Sequence, residues 1–351
     1  MIFTISKGAL QGVLATVSKR TDQSQPHLAC IHIKTEDGRA AFSATNLNES
    51  ARCVEDVLVD NSGECLIPAK RLSEIVKSLP DAAVTIEADG MKASIRCGRA
   101  RFDIPALDPE DFPGTIKFNA ENSVRIGFSY FCDMVRKCEA FAAKDDSRPI
   151  LGGILLDADG STLRMVATDS YRMICCEYPF SAEFRVVMPA KFASSVASAK
   201  ANSGSVNLSY DDSFIMVENG DCILSTRCID GSYPAWERLL PESVISTAEF
   251  DRRDIAGAVK RAATLGRGVP VRISFRGDSA RVESGGGDDG SMSEDIPCKS
   301  DGEGSIKVSA SYAAEALSAM DSDKVRFGFN GELKPMLVTA GTSRAIIMPV
   351  R

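Results

Sequence analysis

The sequence predicts an α+β protein built as three repeated domains, each with two helices packed on antiparallel sheets. Three observations predict it. An apolar helical stripe occurs six times, the stripes recur with a double period, and short alternating segments bounded by turn residues fill the intervals.

Leu10, Val13, Leu14 and Val17 stand at i, i+3, i+4 and i+7, a spacing that puts them on one helix face. The same spacing returns in Leu72, Ile75, Val76 and Leu79, in Phe131, Met134, Val135 and Cys138, and in Phe192, Ser195, Val196 and Ala199. It closes with Ile255, Ala258, Val259 and Ala262 and with Ala313, Ala316, Leu317 and Met320. Equivalent helices lie roughly 120 residues apart, about one domain length. The approach to the second helix repeats too: IPAKRL at 67–72 returns as MPAKFA at 188–193 and more loosely as VSASYA at 308–313. Any surface helix has one stripe; six in a fixed order mark an internal repeat.

The first domain is expected over 1–117. A strand at 2–5 leads into a helix over 7–20, and strands follow at 30–34, 40–44 and 51–59, with Glu36-Asp37-Gly38 as a hairpin turn. Pro68 suits the first turn of the second helix and Pro80 stops it. Strands at 83–88, 92–96 and 100–104 precede the turn-rich stretch 107–114, read as a linker. The second domain, 118–245, has a strand at 123–127, helices over 129–143 and from 189, and strands at 153–156, 162–167, 173–178, 205–210, 213–218 and 222–227. The third, 246–351, has a helix over 252–266, strands at 269–275, 279–284 and 294–298, the last helix, and strands at 324–329, 335–340 and 343–349. Its Gly285–Gly290 loop does not open a helix, so it reads as a mobile hairpin.

The 351 residues have ordinary apolar and charged fractions, 44% and 25%, and no apolar run of membrane-spanning length. With no basic start and long apolar block at the N-terminus, a cytoplasmic protein without a membrane partner is expected. The eleven cysteines include no CxxC and are expected to be reduced core residues, with neither disulfides nor zinc. The net charge of −7 argues against nucleic acid, but its distribution argues for it: the six helical segments together carry +10, leaving −17 on the rest. A local positive surface attracts phosphate whatever the total.

Catalytic chemistry is hard to find. His27 and His32 have no partnering nucleophile at a recognisable spacing, and no P-loop occurs. Asp108, Glu110 and Asp111 could hold a metal, but their setting among prolines reads better as a linker. No catalytic residue, metal or cofactor is therefore expected, and weight moves to a binding or scaffold role.

Val166-Ala167-Thr168-Asp169-Ser170-Tyr171-Arg172-Met173 resembles the VATDGHRL segment of the bacterial DNA polymerase III beta subunit family, the sliding clamps. Asp230-Gly231-Ser232-Tyr233-Pro234 with 238–241 is similar to that family's DGxFPxYxRVLP stretch, and 102–113, the PAK helices and the terminal Ile347-Met348-Pro349-Val350-Arg351 also fit. The resemblance covers essentially the whole chain. It implies a processivity factor without enzymatic activity of its own: a homodimeric, head-to-tail ring of six domains, with twelve helices lining a hole through which duplex DNA passes. Lys77, Arg148, Lys191 and Lys260 would face DNA, and Phe102, Ile104 and Leu265 would lie at the dimer interface.

The resemblance further implies a peptide-binding pocket. It would be lined by Leu151, Thr168, Ser170, Tyr171, Arg172, Met173, Pro234, Arg238, Leu239, Tyr312 and Pro335, and by Ile346, Ile347, Met348, Pro349, Val350 and Arg351. There the DNA polymerase III alpha subunit, the clamp-loader delta subunit, repair polymerases and other clamp-motif proteins would dock, with Arg172, Arg238 and Arg351 at the rim. The sequence departs from the family pattern at Ser170-Tyr171, where Gly-His is usual, at 23–26, where many members have a DNA-contacting arginine, and at Thr264, usually more apolar. Two other readings stand beside this one: a monomeric, sequence-independent DNA-binding protein that does not encircle DNA, and, well behind, a metal-dependent nuclease.

Overall fold

The computed structural model describes residues 1–116, 122–145, 147–199, 204–266, 269–285 and 290–350. The first repeat runs β1 (Ile2–Ser6), α1 (Lys7–Val17), β2 (Cys30–Glu36), β3 (Arg39–Thr45), β4 (Glu49–Asp56), β5 (Leu58–Asn61), β6 (Gly63–Pro68), α2 (Ala69–Ser78), β7 (Ala83–Asp89), β8 (Lys92–Cys97) and β9 (Ala100–Pro105). The second runs β10 (Asn122–Gly127), α3 (Phe128–Glu139), β11 (Gly153–Asp159), β12 (Thr162–Thr168), β13 (Arg172–Pro179), β14 (Glu183–Pro189), α4 (Ala190–Ala197), β15 (Ser205–Tyr210), β16 (Phe214–Asn219) and β17 (Cys222–Arg227). The third runs β18 (Ser246–Asp251), α5 (Arg252–Ala262), β19 (Pro270–Arg276), β20 (Ser279–Gly285), β21 (Ser291–Pro297), β22 (Lys299–Asp301), β23 (Glu303–Ser309), α6 (Ala310–Ser318), β24 (Lys324–Phe329), β25 (Met336–Ala340) and β26 (Ser343–Ile347).

The α+β class and the threefold repeat are both present. Of the 24 stripe residues, all are buried except Ser195 and Ala199. Burial explains the spacing: each helix removes one apolar face from water and leaves its polar face exposed. Between β2 and β3, Asp37 and Gly38 both have positive φ, 50° and 75°, the twist a two-residue hairpin needs.

By contacts the chain forms two compact units, Met1–Ser129 with Ser195–Cys228, and Tyr130–Ser194 with Ile229–Arg351. Strand pairing shows why a threefold repeat gives two units. In the first unit, β17 of the second repeat pairs with β4 of the first, so one eight-stranded sheet runs β10-β15-β16-β17-β4-β3-β2-β6. A five-stranded sheet, β5-β1-β7-β8-β9, completes that unit, and α1 packs on α2 and on β4. In the second unit, β13 pairs with β26, giving the nine-stranded order β14-β11-β12-β13-β26-β25-β24-β18-β22. A four-stranded sheet, β21-β20-β19-β23, completes it, and α5 packs on α6, β20 and β21.

Several expectations need correction. The helices expected over 7–20 and 252–266 end earlier, each followed by a 3-10 turn, at Ser18–Arg20 and Ala263–Leu265. Pro68 is the last residue of β6 rather than part of the helix; it pairs with Cys30, and α2 starts after it. Strands β6, β14, β22 and β23 lie in stretches where none was expected. The loop at 286–289 lies outside the described residues.

The cysteine expectation fails at one pair. Cys53 on β4 and Cys222 on β17 are direct cross-strand partners joined by a disulfide across 169 residues of sequence. Sequence spacing carries no sign of this, because sheet register alone brings the two together. Of the nine other cysteines, eight are buried; burial raises the Cys30 thiol to about 11 and those of Cys65 and Cys175 to about 12.

Two cations counted toward the basic helices are structural. Arg20 is fully buried, donates to the Thr16 carbonyl at 2.9 Å and lies 3.4 Å from Glu49. Lys137 on α3 is buried with its ammonium 2.6 Å from Asp133 and 2.7 Å from Asp321, which follows α6. Burial lowers the Lys137 pKa, but the two carboxylates more than offset this and the net shift is upward. The Asp321 carboxyl is lowered, chiefly by the hydrogen bond from Lys137. Lys137→Met is expected to cost about 2 kcal/mol in urea unfolding. The difference should be full between the ordinary carboxylate and lysine pKa values. It should fade as pH falls through the lowered Asp321 value or rises through the raised Lys137 value.

Candidate functional site

The hairpin joining β12 to β13 is built by side chains. Asp169 Oδ1 accepts the backbone N–H groups of Tyr171 and Arg172, each at 3.0 Å. Thr168 Oγ1 donates to the Arg172 carbonyl at 2.7 Å and accepts the Ser170 N–H at 3.2 Å. Ser170 takes φ 77°, and Tyr171 is left 63% exposed. These are Asx- and ST-type turn bonds, which fix a backbone without a long loop. The first repeat has the same turn between β3 and β4. Thr45 Oγ1 donates to the Glu49 carbonyl, Asn46 Oδ1 accepts from Asn48 and Glu49, and Leu47 has φ 71°.

Arg172 is not the open rim residue expected. It is 5% exposed. Its Nε donates to Asp169 at 3.0 Å, one Nη donates to Glu315 of α6, and the other donates to the Ala140 carbonyl at 2.6 Å. The guanidinium carbon lies 4.3 Å from the Tyr312 ring centre and 4.9 Å from that of Phe141. One buried cation thus ties the hairpin to α6 and to the residues after α3. Burial raises the Tyr312 hydroxyl pKa.

The C-terminal strand lies beside this hairpin. Ile346 pairs with Met173 and Ile347 with Arg172; Ile347 also pairs with Met336 of β25, the residue after half-buried Pro335. Beyond β26 the backbone stays pinned: Met348 N–H donates to the Tyr171 carbonyl at 2.9 Å, Val350 N–H donates to the Lys307 carbonyl at 2.7 Å, and Pro349 bridges to Val308. Met348 and Val350 remain 40% and 39% exposed. Arg351 lies outside the described residues.

Beneath lies an apolar cluster of Leu155, Val166, Met173, Cys175, Tyr233, Trp236 and Ile346. The Tyr233 hydroxyl donates to the Val166 carbonyl at 3.2 Å, and Trp236 Nε1 donates to Asp157 at 3.4 Å. Those anchors hold the 3-10 turn Trp236–Leu239, so that Pro234, Arg238 and Leu239 stay exposed. Leu151 is buried in the turn Pro149–Gly152, its carbonyl accepting the Ala143 N–H at 2.8 Å. Tyr171, Leu239, Met348 and Val350 are four of the ten large apolar side chains exposed among the described residues. A pinned backbone presenting such side chains suits an extended apolar ligand.

Sequence reasoning missed Asp169, Glu315, Phe141, Tyr233 and Trp236 as builders of this surface. A signal existed for Asp169: Ala44-Thr45-Asn46 and Ala167-Thr168-Asp169 are a repeated turn opening. Arg148, grouped with the DNA-facing residues, donates to Ser170 Oγ at 3.4 Å, beside the hairpin.

Lys77, Lys191 and Lys260 are exposed on α2, α4 and α5. Lys77 lines a groove of about 770 Å³ between α1 and α2, together with Lys19 and Lys70 over Leu14 and Val76. Phe102 and Ile104 are half-buried on β9, the outer strand of the five-stranded sheet. Ile104 also lines a groove of about 600 Å³ with Met91, Pro105, Arg101 and Asp103. Leu265 is half-buried; a Cβ on Gly285 of β20 would come within 2.9 Å of it.

Sequence profiles of the DNA polymerase III beta subunit match throughout: its N-terminal domain at residues 1–117, its central domain at 126–235 and its C-terminal domain at 237–351. The chain belongs to the DNA polymerase III beta subunit family. It is 28% identical over 347 residues to the beta sliding clamp of Streptomyces coelicolor, covering 93% of this chain and 92% of that one. It is 27% identical to that of Bacillus subtilis over the full length of both. Among solved structures, a Pseudomonas aeruginosa sliding clamp bound to griselimycin superposes with a TM-score of 0.94 at 26% identity, covering 100% of this chain and 99% of that one. The Bacillus subtilis clamp gives 0.93 at 25%, with coverage of 100% and 99%. The beta subunit family accounts for the α+β class and for three clamp domains. Among the described residues no helix is long and apolar enough to cross a membrane.

Proposed function

We propose that the protein is a processivity clamp: a homodimeric ring, acting in the cytoplasm, that slides on duplex DNA and tethers polymerases through the surface around Tyr171 and Met348. The three repeats, 1–117, 118–245 and 246–351, are its domains. One observation carries the ring. Successive repeats are joined by strand pairing, β4 with β17 and β13 with β26, which leaves β9 and β21 as outer strands of a five- and a four-stranded sheet. Pairing β9 of one protomer with β21 of its partner would extend the same construction and cover two bare edges. Phe102 and Ile104 on β9 and Leu265 beside β20 would supply the apolar contact.

DNA contact then needs only exposed cations on the helices, such as Lys77, Lys191 and Lys260, and no base-reading element. Arg148 belongs with the docking surface in this reading. The protein performs no chemistry; it raises the local concentration of its partners on DNA. Those partners are the polymerase III alpha subunit, the clamp-loader delta subunit and other proteins carrying a short apolar clamp motif.

Two experiments test this. Loaded onto nicked circular duplex with a clamp loader, the protein should survive a high-salt wash and be lost when the circle is linearised. Equal loss from circles and linear DNA would favour a monomeric binder that does not encircle. Met348→Asp should weaken a largely hydrophobic clamp-motif peptide at least about tenfold in fluorescence polarisation while leaving the melting temperature unchanged, because the side chain is exposed.

A further inference from the structure

We propose that Cys53 and Cys222 form a thiol–disulfide switch that fastens the seam between the first and second repeats. The seam is the pairing of β4 with β17, residues 49–53 against 222–226. The disulfide sits at one end of it, at Cys53 opposite Cys222. Beyond it the chains keep contact through Val54 N–H to the Asp221 carbonyl at 3.0 Å and through Arg39, which reaches Asp221 at 2.6 Å and Asp56 at 3.3 Å. The other seam offers a contrast. There Ser343 stands opposite Cys176, with its hydroxyl 3.6 Å from the sulfur, so the matching site cannot cross-link.

Accessibility separates the two sulfurs. Cys53 is fully buried and Cys222 is half-buried at the start of its strand. Cys222 is therefore the more accessible of the two residues, and the one we assign as the point of attack for solutes. The surface beside it is mixed in charge: Lys34, Arg39 and Arg52 stand with Glu36, Asp37 and Asp221. In the oxidising direction the Cys222 thiolate attacks a low-molecular-weight disulfide, RSSR, and expels RS⁻. The Cys53 thiolate then displaces the second RS⁻, and the two cysteine protons end on two RSH. In the reducing direction a thiolate RS⁻ attacks Cys222 Sγ and Cys53 leaves as thiolate. A second RS⁻ then attacks the R sulfur of the mixed disulfide, Cys222 leaves as thiolate and RSSR is released. The two RSH that supplied the thiolates give their protons to the two cysteines. Chains kept in a reducing compartment use such exchangeable disulfides as sensors rather than staples.

The closed form holds β4 and β17 together when the ladder between them opens; the open form leaves the non-covalent contacts, among them the ladder hydrogen bonds and the Arg39–Asp221 ion pair, without that tie. The full chain is equilibrated in oxidised or reduced glutathione, alkylated under denaturing conditions and mapped by mass spectrometry, with hydrogen exchange in parallel. The expected result is nine alkylated cysteines after oxidation and eleven after reduction, with a peptide linking Cys53 to Cys222. Exchange in β4 and β17 should be about tenfold slower in the oxidised form. Cys222→Ser should exchange like the reduced protein in both buffers. Eleven alkylated cysteines in both buffers, equal exchange in both forms, or a redox response that persists in Cys222→Ser would each overturn the proposal.

Discussion

In the proposed ring, Ile104→Asp is expected to turn the dimer into a monomer. Ile104 stands half-buried on the outer strand β9, beside exposed Met91 in the same groove. If β9 pairs with a partner's β21, an aspartate there places an unpaired carboxylate in the centre of an apolar contact and removes the burial of an isoleucine. Truncated anchors at such contacts cost about 2–4 kcal/mol, and burying a lone charge adds to that, so the dissociation constant should rise at least about 100-fold. The monomer itself should stay folded, because Ile104 has solvent on one side. Analytical ultracentrifugation of the variant at micromolar concentration reads both. Lys260→Glu serves as the comparison: it should leave the mass unchanged and weaken DNA association, since Lys260 is an exposed helix cation.

Arg172→Ala should be the most destabilising single change at the proposed docking surface. The guanidinium holds Asp169, Glu315 and the Ala140 carbonyl and lies over two aromatic rings. Removing it strands Asp169, whose side chain is only 15% exposed, without its cation. Breaking a buried pair from one side costs about 3–5 kcal/mol. Asp169 also caps the turn that presents Tyr171, so peptide affinity should fall with stability even though Arg172 itself is buried. Arg172→Lys restores charge but not the fork and should recover less than half of the loss. Urea unfolding monitored by Trp236 fluorescence, with peptide binding measured below the transition, separates the two effects.

How much of this was legible in the sequence follows from what each feature depends on. The helices were legible because burial of one face imposes a 3.6-residue period, and 22 of 24 stripe residues are buried. The repeat was legible because it doubles that signal. The division into two contact units was not, because it depends on β17 meeting β4 and β13 meeting β26, partners far apart in the chain. The disulfide was hidden for the same reason. At the candidate site, Tyr171, Leu239 and Met348 were named by resemblance, and the structure leaves all three exposed. Arg172 was named for the wrong position: its residue type suited a rim, but Glu315, Tyr312 and Ala140, which draw it inward, come from elements that sequence spacing cannot bring together. The charge count overstated the basic surface by including Arg20 and Lys137, since a cation's burial is invisible in a sum.

The measurement that bears most directly on the ring is solution mass by light scattering across a dilution series from micromolar to nanomolar. The ring reading predicts twice 37.6 kDa throughout the series for the wild-type chain and 37.6 kDa for Ile104→Asp. A wild-type mass of 37.6 kDa at every concentration would contradict it and leave a DNA-binding protein that does not encircle its substrate.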